Sequence, residues 1–161
     1  MKFYTRFKTV FCEVILVGDD NGLCNLHLNT GEGKRHFEIS EDWKRNDEFF
    51  SKEIRQIKEY FEGKRTSFSI KTNPAGSEFQ KRVWQALAEI PYGEVRSYKD
   101  IAKTVGNSKA CRAVGMANSK NPLPLIIPCH RVIGADGKLT GFAQGLDIKE
   151  KLLKLEEKNH G

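Results

Sequence analysis

The sequence predicts an α+β fold: a small N-terminal strand-rich α/β domain, residues 1–72, and a mainly helical domain, residues 73–161. Three observations carry that prediction. Apolar β-formers flank the strong turn Asp19-Asp20-Asn21-Gly22 near the start. In the second half, apolar residues recur at spacings of three and four, with helix-start signals before them. Between the two lies Lys71-Thr72-Asn73-Pro74-Ala75-Gly76, polar and rich in turn formers, where a boundary belongs.

Thr9–Val17 reads as the first strand. Asn21-Gly22 tolerates positive φ and closes a hairpin onto Leu23–Leu28, the second strand. Lys34–Ile39 is a candidate third. From Asn46 to Glu62, Phe50, Ile54, Ile57 and Phe61 fall on one face of a helix that Gly63 stops. Thr66–Ile70, with Phe68 and Ile70 alternating, predicts a further short strand.

Ser77–Ile90 predicts an amphipathic helix with Phe79, Val83, Leu87 and Ile90 inward, ended by Pro91-Tyr92-Gly93. Ser97 starts the next helix, with Asp100 three residues on as its capping-box partner, and this helix runs to about Val105. After the turn Gly106-Asn107-Ser108 comes a second short helix, Lys109–Asn118. A helix, a short Gly-containing turn and a helix have the spacing of a helix-turn-helix. The second helix carries Ala110, Ala113, Gly115 and Ala117 around a projecting Arg112. Small residues let a helix backbone come close to something narrow, either a groove of DNA or another helix. A turn at Ile133–Leu139, the loop Gly141-Phe142-Ala143-Gln144-Gly145 and a last helix from Asp147 to about Glu156 complete the chain.

Charge narrows the partners. The net charge is +6 over 161 residues, and residues 96–138 alone carry 8 basic against 2 acidic side chains. A positive field concentrated in one stretch, Lys109 and Arg112 included, suits a polyanion, nucleic acid first. The bland alternative is a solvated basic face. No apolar run is long enough to span a membrane, and the N-terminus has no apolar signal region, so a cytoplasmic protein without membrane contact is expected. The four cysteines make no C-x-x-C pair, and in an intracellular chain disulfides are not expected. Cys24 and His27 fall short of a zinc ligand set, and neither a metal nor another cofactor is expected.

The most informative stretch is Asn121-Pro122-Leu123-Pro124-Leu125-Ile126-Ile127-Pro128-Cys129-His130-Arg131-Val132. Three prolines stiffen the path into Cys129. Leu125–Ile127 reads as a buried strand or extended support that denies a nucleophile freedom to wander. His130 is next door, and a thiol becomes a thiolate when a histidine accepts its proton. On an extended backbone the two side chains point apart, so they communicate only if the chain bends there or a water bridges them. A histidine base is usually oriented by a carboxylate, and Glu156 is on offer. Phe142, in its glycine-bounded loop, can form an apolar wall over a flat ligand.

Pro128-Cys129-His130-Arg131-Val132, preceded by Asn121-Pro122, resembles the active-site signature of the 6-O-alkylguanine-DNA alkyltransferases, also called methylated-DNA–protein-cysteine methyltransferases. The likeness runs from about Phe79 through Ile90–Val95, Ser97-Tyr98 and Ala110–Gly115 to Glu156, in the family's order and at its spacing. It implies a winged helix-turn-helix-like catalytic domain and repair of DNA by direct damage reversal. The partner it implies is double-stranded DNA containing alkylated guanine. The second helix would enter the minor groove, the lesion would flip out, and its alkyl group would pass to the Cys129 sulfur in one irreversible turnover. By motif position, His130 resembles the base, acting through a water, and Glu156 the group that orients it. Asn121 resembles the residue that organises this network and its turn, and Tyr98 the proton donor to the departing guanine. Arg112 resembles the finger that replaces the flipped base. Val132 and Ala143 fall where the family contacts the guanine edge through backbone groups, and Lys149 matches a family lysine near the site.

Two departures stand out. Many members have tyrosine and serine where this chain has Phe142 and Ala143, so a backbone amide, but no hydroxyl, can reach the base there. Some relatives hold zinc in the N-terminal domain, and no matching ligands are found here. The rival readings are a non-catalytic alkyl-lesion-binding DNA protein, which in this family has tryptophan in place of the cysteine, and a cysteine hydrolase using Cys129, His130 and Glu156. A monomer is expected, because no self-complementary apolar face is evident.

Overall fold

The computed structural model describes residues 1–31, 37–139, 142 and 145–160. The fold is α+β as expected, with a sheet and one helix first and a helical cluster after it. The sheet is ordered β3-β2-β1-β4, from β1 (Phe3–Lys8), β2 (Glu13–Asp19), β3 (Gly22–Asn29) and β4 (Lys44–Arg45). β1 and β2 pair antiparallel from Phe3↔Gly18 to Lys8↔Glu13, and β2 and β3 continue the meander with an irregularity between Val17 and Gly18. The Asn21-Gly22 hairpin forms as read: Asp19 Oδ1 accepts from Asn21 N at 2.8 Å, and Gly22 takes φ 130°.

Three N-terminal expectations need correction. Thr9–Val17 is not one strand. The Thr9 hydroxyl accepts from Phe11 N and Cys12 N at 3.2 and 3.1 Å and donates to the Cys12 carbonyl. That side-chain turn breaks the apolar run in two, and the more polar Phe3–Lys8 becomes the missing strand. Of Lys34–Ile39, residues 34–36 lie outside the described residues, and 37–39 form no strand. Thr66–Ile70 is not a strand either. Gln56 holds Ser69 on both sides, accepting from its N–H at 2.9 Å and donating to its carbonyl at 3.4 Å. The open edge of β3 is met two residues later, by a bridge between Leu23 and Thr72. The helix expected from Asn46 starts with a 3₁₀ turn at Glu48–Phe50 and continues as α1 (Ser51–Phe61).

The second half follows its local signals more closely. α2 (Glu78–Ala88) begins at a complete capping box between Ser77 and Gln80. α3 (Tyr98–Thr104) begins at the predicted box between Ser97 and Asp100. α4 (Cys111–Ser119) starts two residues later than expected, so Lys109 and Ala110 lie before it in the turn. There Asn107 takes both Lys109 N, at its side-chain oxygen, and Ala110 N, at its carbonyl. β5 (Arg96–Ser97) and β6 (Val132–Ile133) pair parallel. The turn after β6 closes from Gly134 N to the Lys138 carbonyl at 2.9 Å, but no second strand follows it among the described residues. α5 (Leu146–His160) runs a turn beyond Glu156.

One apolar core joins the two halves: Leu16, Leu26, Ile57 and Tyr60 from the first and Leu87, Leu123, Leu125 and Leu152 from the second are all buried in it. Among the described residues, no helix is long and apolar enough to cross a membrane.

Candidate active site

The loop that delivers Cys129 is folded on the Asn121 side chain. Its Nδ2 donates to the Ile127 carbonyl at 2.8 Å, and its Oδ1 accepts from Leu123 N at 2.9 Å. Ile127 N also reaches the Leu123 carbonyl at 2.8 Å. Leu125–Ile127 is therefore a turn and not the extended support expected, because an interior side chain satisfies the backbone groups that a strand would have offered a neighbour. Buried Leu125 is held at φ 75°, a left-handed conformation costing about 1–2 kcal/mol for a side-chain-bearing residue. The surroundings impose it: Leu26 N on the β3 edge donates to the Pro122 carbonyl at 2.8 Å and pins the loop to the sheet. At Pro128, φ −76° and ψ 66°, with Cys129 N on the Ile127 carbonyl at 2.7 Å, make an inverse γ-turn. Cys129–Arg131 then forms a single 3₁₀ turn. The chain bends at the point where Cys129 and His130 needed it to.

His130 is fully buried, and its Nε2 lies 2.6 Å from Glu156 Oε2. Burial lowers its pKa, against the raising effect of Glu156, so the ring is neutral at pH 7. A neutral ring beside a carboxylate carries its proton on the facing nitrogen, which assigns Nε2–H as donor and leaves Nδ1 with a lone pair able to accept a proton. Nδ1 is buried with no hydrogen-bond partner among the described residues. Glu156 is 1% exposed and collects four further donors. Arg131 gives Nε to Oε1 at 2.7 Å and Nη2 to Oε2 at 3.0 Å, Gly93 N reaches Oε1 at 3.3 Å, and the Tyr60 hydroxyl donates to Oε2. Burial works to raise the Glu156 pKa, but its bonds to His130 and Arg131 outweigh that and hold it well below the usual carboxylate range. Arg131 supplies the positive charge that lets an anion sit here. Its remaining Nη1 donates to the Ile90 carbonyl at 2.7 Å, and its guanidinium lies 5.6 Å from the centre of the Tyr92 ring.

Lys149 enters from α5, fully buried, with Nζ on the Val132 carbonyl at 2.6 Å and 6.0 Å from the centre of the Phe142 ring. Burial pulls its pKa down to about 8, with the nearby Cys129 sulfur opposing the shift. Cys129 itself is 3% exposed. Cys129, His130, Glu156, Asn121, Val132, Phe142 and Lys149 thus belong to one neighbourhood, and Ala143 lies outside the described residues.

The helix pair forms the adjoining surface. Tyr98 is the first residue of α3, and a Cβ added at Gly115 of α4 would stand 3.9 Å from its ring. Arg112, Ala113 and Met116 are exposed on α4, flanked by Lys109 and Lys120. Trp84 of α2 fixes α4 from behind, donating to the Ala117 carbonyl at 2.9 Å.

Sequence reasoning missed Arg131, Tyr60 and Gly93. Arg131 had a signal, a lone charge inside an apolar motif. Tyr60 also had one, since it stands three residues after Ile57 on the buried face. Gly93 acts through its backbone and had none.

The family model described as 6-O-methylguanine DNA methyltransferase, ribonuclease-like domain, matches residues 2–74, and that described as 6-O-methylguanine DNA methyltransferase, DNA binding domain, matches residues 78–158. A methylated-DNA–protein-cysteine methyltransferase of Methanosarcina acetivorans is 54% identical over 154 residues, covering 96% of this chain and 97% of its own. The crystal structure of Mycobacterium tuberculosis O6-methylguanine methyltransferase is similar with a TM-score of 0.89 and 41% identity, over 99% of this chain and 94% of that one. Mycobacterium tuberculosis OGT in complex with DNA is similar with the same TM-score of 0.89 and 41% identity, over 98% of this chain and 94% of that one. With matches across both halves and a cysteine seated on a bend beside a carboxylate-held histidine, the chain belongs to the methylated-DNA–protein-cysteine methyltransferases, the 6-O-methylguanine DNA methyltransferase family of repair proteins.

Proposed function

We propose that this protein repairs double-stranded DNA by moving a methyl or other alkyl group from the 6-oxygen of guanine to Cys129. The observation that carries the reading is the seating of Cys129 on a bend beside His130, whose Nε2 is held by Glu156 and whose Nδ1 is left as a base. The thiol gives its proton to His130, directly or through a water. The thiolate attacks the alkyl carbon in line, a sulfur–carbon bond forms, and the carbon–oxygen bond to guanine breaks. Tyr98 donates a proton to the departing base and regains one from solvent while His130 releases the proton taken from the thiol, so the proton lost by the thiol is balanced by the one restored to guanine. Buried Lys149 favours the thiolate electrostatically. The thioether is stable, so each molecule acts once, and no cofactor takes part.

DNA would lie along the basic helix pair, with α4 in the minor groove. Ala110, Ala113 and Gly115 permit close approach, Lys109 contacts phosphate and Arg112 fills the gap left by the flipped guanine. Phe142 would wall the pocket, and Val132 and Ala143 would meet the guanine edge through their backbones. We further propose a monomer located in the cytoplasm, with residues 1–72 and 73–161 as its two domains.

Mixing the protein with a duplex carrying one 6-O-methylguanine, followed by intact mass and peptide mapping, tests the reading. A gain of one methyl group, about 14 Da, on the Cys129 peptide is expected. Cys129→Ala should take up nothing while still binding the duplex. An unmodified wild-type protein that still binds DNA would instead indicate a lesion-binding protein.

A further inference from the structure

Of the donors on Glu156, one arrives from the N-terminal half. Tyr60 stands in the last turn of α1, fully buried. Its ring packs on Phe68 at 5.4 Å between centroids and meets Tyr92 edge-on at 6.2 Å. The ring packing aims the hydroxyl at Glu156 Oε2, to which it donates, and leaves it 3.4 Å from His130 Nε2. Burial and the adjacent Glu156 charge raise the Tyr60 pKa well above its ordinary value, so the hydroxyl stays protonated and a donor across the working pH range.

We propose that Tyr60 is a positioning residue for alkyl transfer, through which the N-terminal half holds Glu156, and through it His130, in reactive geometry. The proposal rests on the transfer reaction above. Its physical basis is competition at one oxygen. Glu156 Oε2 accepts from His130 Nε2, Arg131 Nη2 and the Tyr60 hydroxyl together. Each donor draws on the same electron density, so the tyrosine weakens the hold of the carboxylate on the imidazole proton and adds to burial in favouring the neutral ring. Without that hydroxyl the carboxylate binds the imidazole more tightly and favours imidazolium, which cannot serve as base. The other charged or titratable groups around this pair are Arg131 and Cys129 on the 3₁₀ turn, Lys149 on α5 and Tyr92 before β5.

The test is the single-turnover rate of methyl transfer from a 6-O-methylguanine duplex between pH 5 and 9. It compares wild type, Tyr60→Phe, Glu156→Gln and the double variant. In Tyr60→Phe the acid limb of the profile should move up by about one pH unit. The rate then falls about tenfold on the acid side and stays within about twofold on the plateau. Added to Glu156→Gln, the same substitution should change the rate less than about twofold. An unmoved limb, a loss equal at all pH values, or a loss undiminished beside Glu156→Gln overturns the proposal. Should Tyr60→Phe not fold, 3-fluorotyrosine at position 60 replaces it. Its more acidic hydroxyl is a stronger donor, so the limb must move to lower pH, and no movement is again a refutation. A wild type that transfers no methyl group overturns the transfer reading together with this one; normal transfer with an unmoved limb overturns this one alone.

Discussion

Replacing Lys149 by methionine should change how stability depends on pH. Lys149 is buried, and burial takes its pKa from an ordinary 10.5 to about 8, the Cys129 sulfur acting the other way. That gap is worth about 3 kcal/mol. Between the two values the unfolded chain holds a proton that the folded chain has released, so stability rises with pH across this window. Lys149→Met cannot show the rise. Below pH 8 the variant escapes the cost of a buried ammonium but loses the 2.6 Å bond to the Val132 carbonyl, leaving a buried acceptor unpaired at about 1–3 kcal/mol. At pH 7 the two chains should therefore be nearly equal in stability. By pH 10.5 the wild type should lead by up to about 3 kcal/mol more than it did at pH 7. Cys12, pushed up to about 11 mainly by burial, gives an opposite slope, but it is present in both chains and cancels in the difference. Urea midpoints at matched slopes, taken from pH 7 to 10.5, measure that difference. A flat difference would refute the account of Lys149. The variant should also transfer methyl groups more slowly at pH 7, because the thiolate has lost a nearby cation.

The remaining expectations follow from single contacts. Glu156→Gln leaves the buried Arg131 guanidinium without its anion and should cost about 3–5 kcal/mol in chemical denaturation; a loss below about 1 kcal/mol would mean that the pair does not hold the site. The folded Glu156 pKa is lowered, so its stabilisation is complete above the ordinary 4.5 and drains away as pH falls below that value, a loss that Glu156→Gln should not show. Gly115→Ala places its Cβ no nearer than 3.9 Å to the Tyr98 ring. It should stabilise α4 by about 0.5–1 kcal/mol yet weaken DNA binding in a fluorescence anisotropy titration, and undiminished affinity would remove Gly115 from the groove-facing surface. Asn118 is 2% exposed, with neither amide atom bonded among the described residues. Asn118→Leu should leave the melting temperature unchanged or raise it, and a clear fall would reveal a partner for that amide.

What could be read from the sequence is what neighbouring residues decide among themselves. The capping box at Ser97 and Asp100 and the Asn21-Gly22 hairpin need only residues a few positions apart, and both formed where expected. Ser77, likewise, precedes its helix as an N-cap. The errors fall where a polar side chain captures backbone groups inside a run whose apolar pattern suggests a strand, or where a distant partner decides. The Thr9 side chain redirected an apolar run that looked like one strand, and β1 emerged from a stretch whose polar residues concealed it. Leu125–Ile127 looked extended because it is apolar and flanked by prolines, but the Asn121 amide folds it back. Within the site, the motif pointed to Cys129 and His130, and the need of a histidine for a carboxylate, with the family resemblance, pointed to Glu156 at the end of the last helix. Nothing local could say that the Tyr60 hydroxyl, 96 residues before Glu156, would end on the same carboxylate.

These long-range contacts explain why the site needs the whole chain. The bend between Cys129 and His130 is built on an inverse γ-turn at Pro128 and on a loop that holds Leu125 at φ 75°, a strained conformation for a side-chain-bearing residue. Three restraints oppose its relaxation: the Asn121 amide inside the loop, the β3 edge at Pro122 and the Glu156 cluster beyond the turn. Two of them reach into the N-terminal half, through Leu26 and through Tyr60. The Cys129-His130 motif lies wholly in the second half, but the strain that shapes it is held partly by the first. Loosening the N-terminal half should therefore disturb the thiol–imidazole geometry before it disturbs the helix pair, whose internal packing on Trp84 is its own.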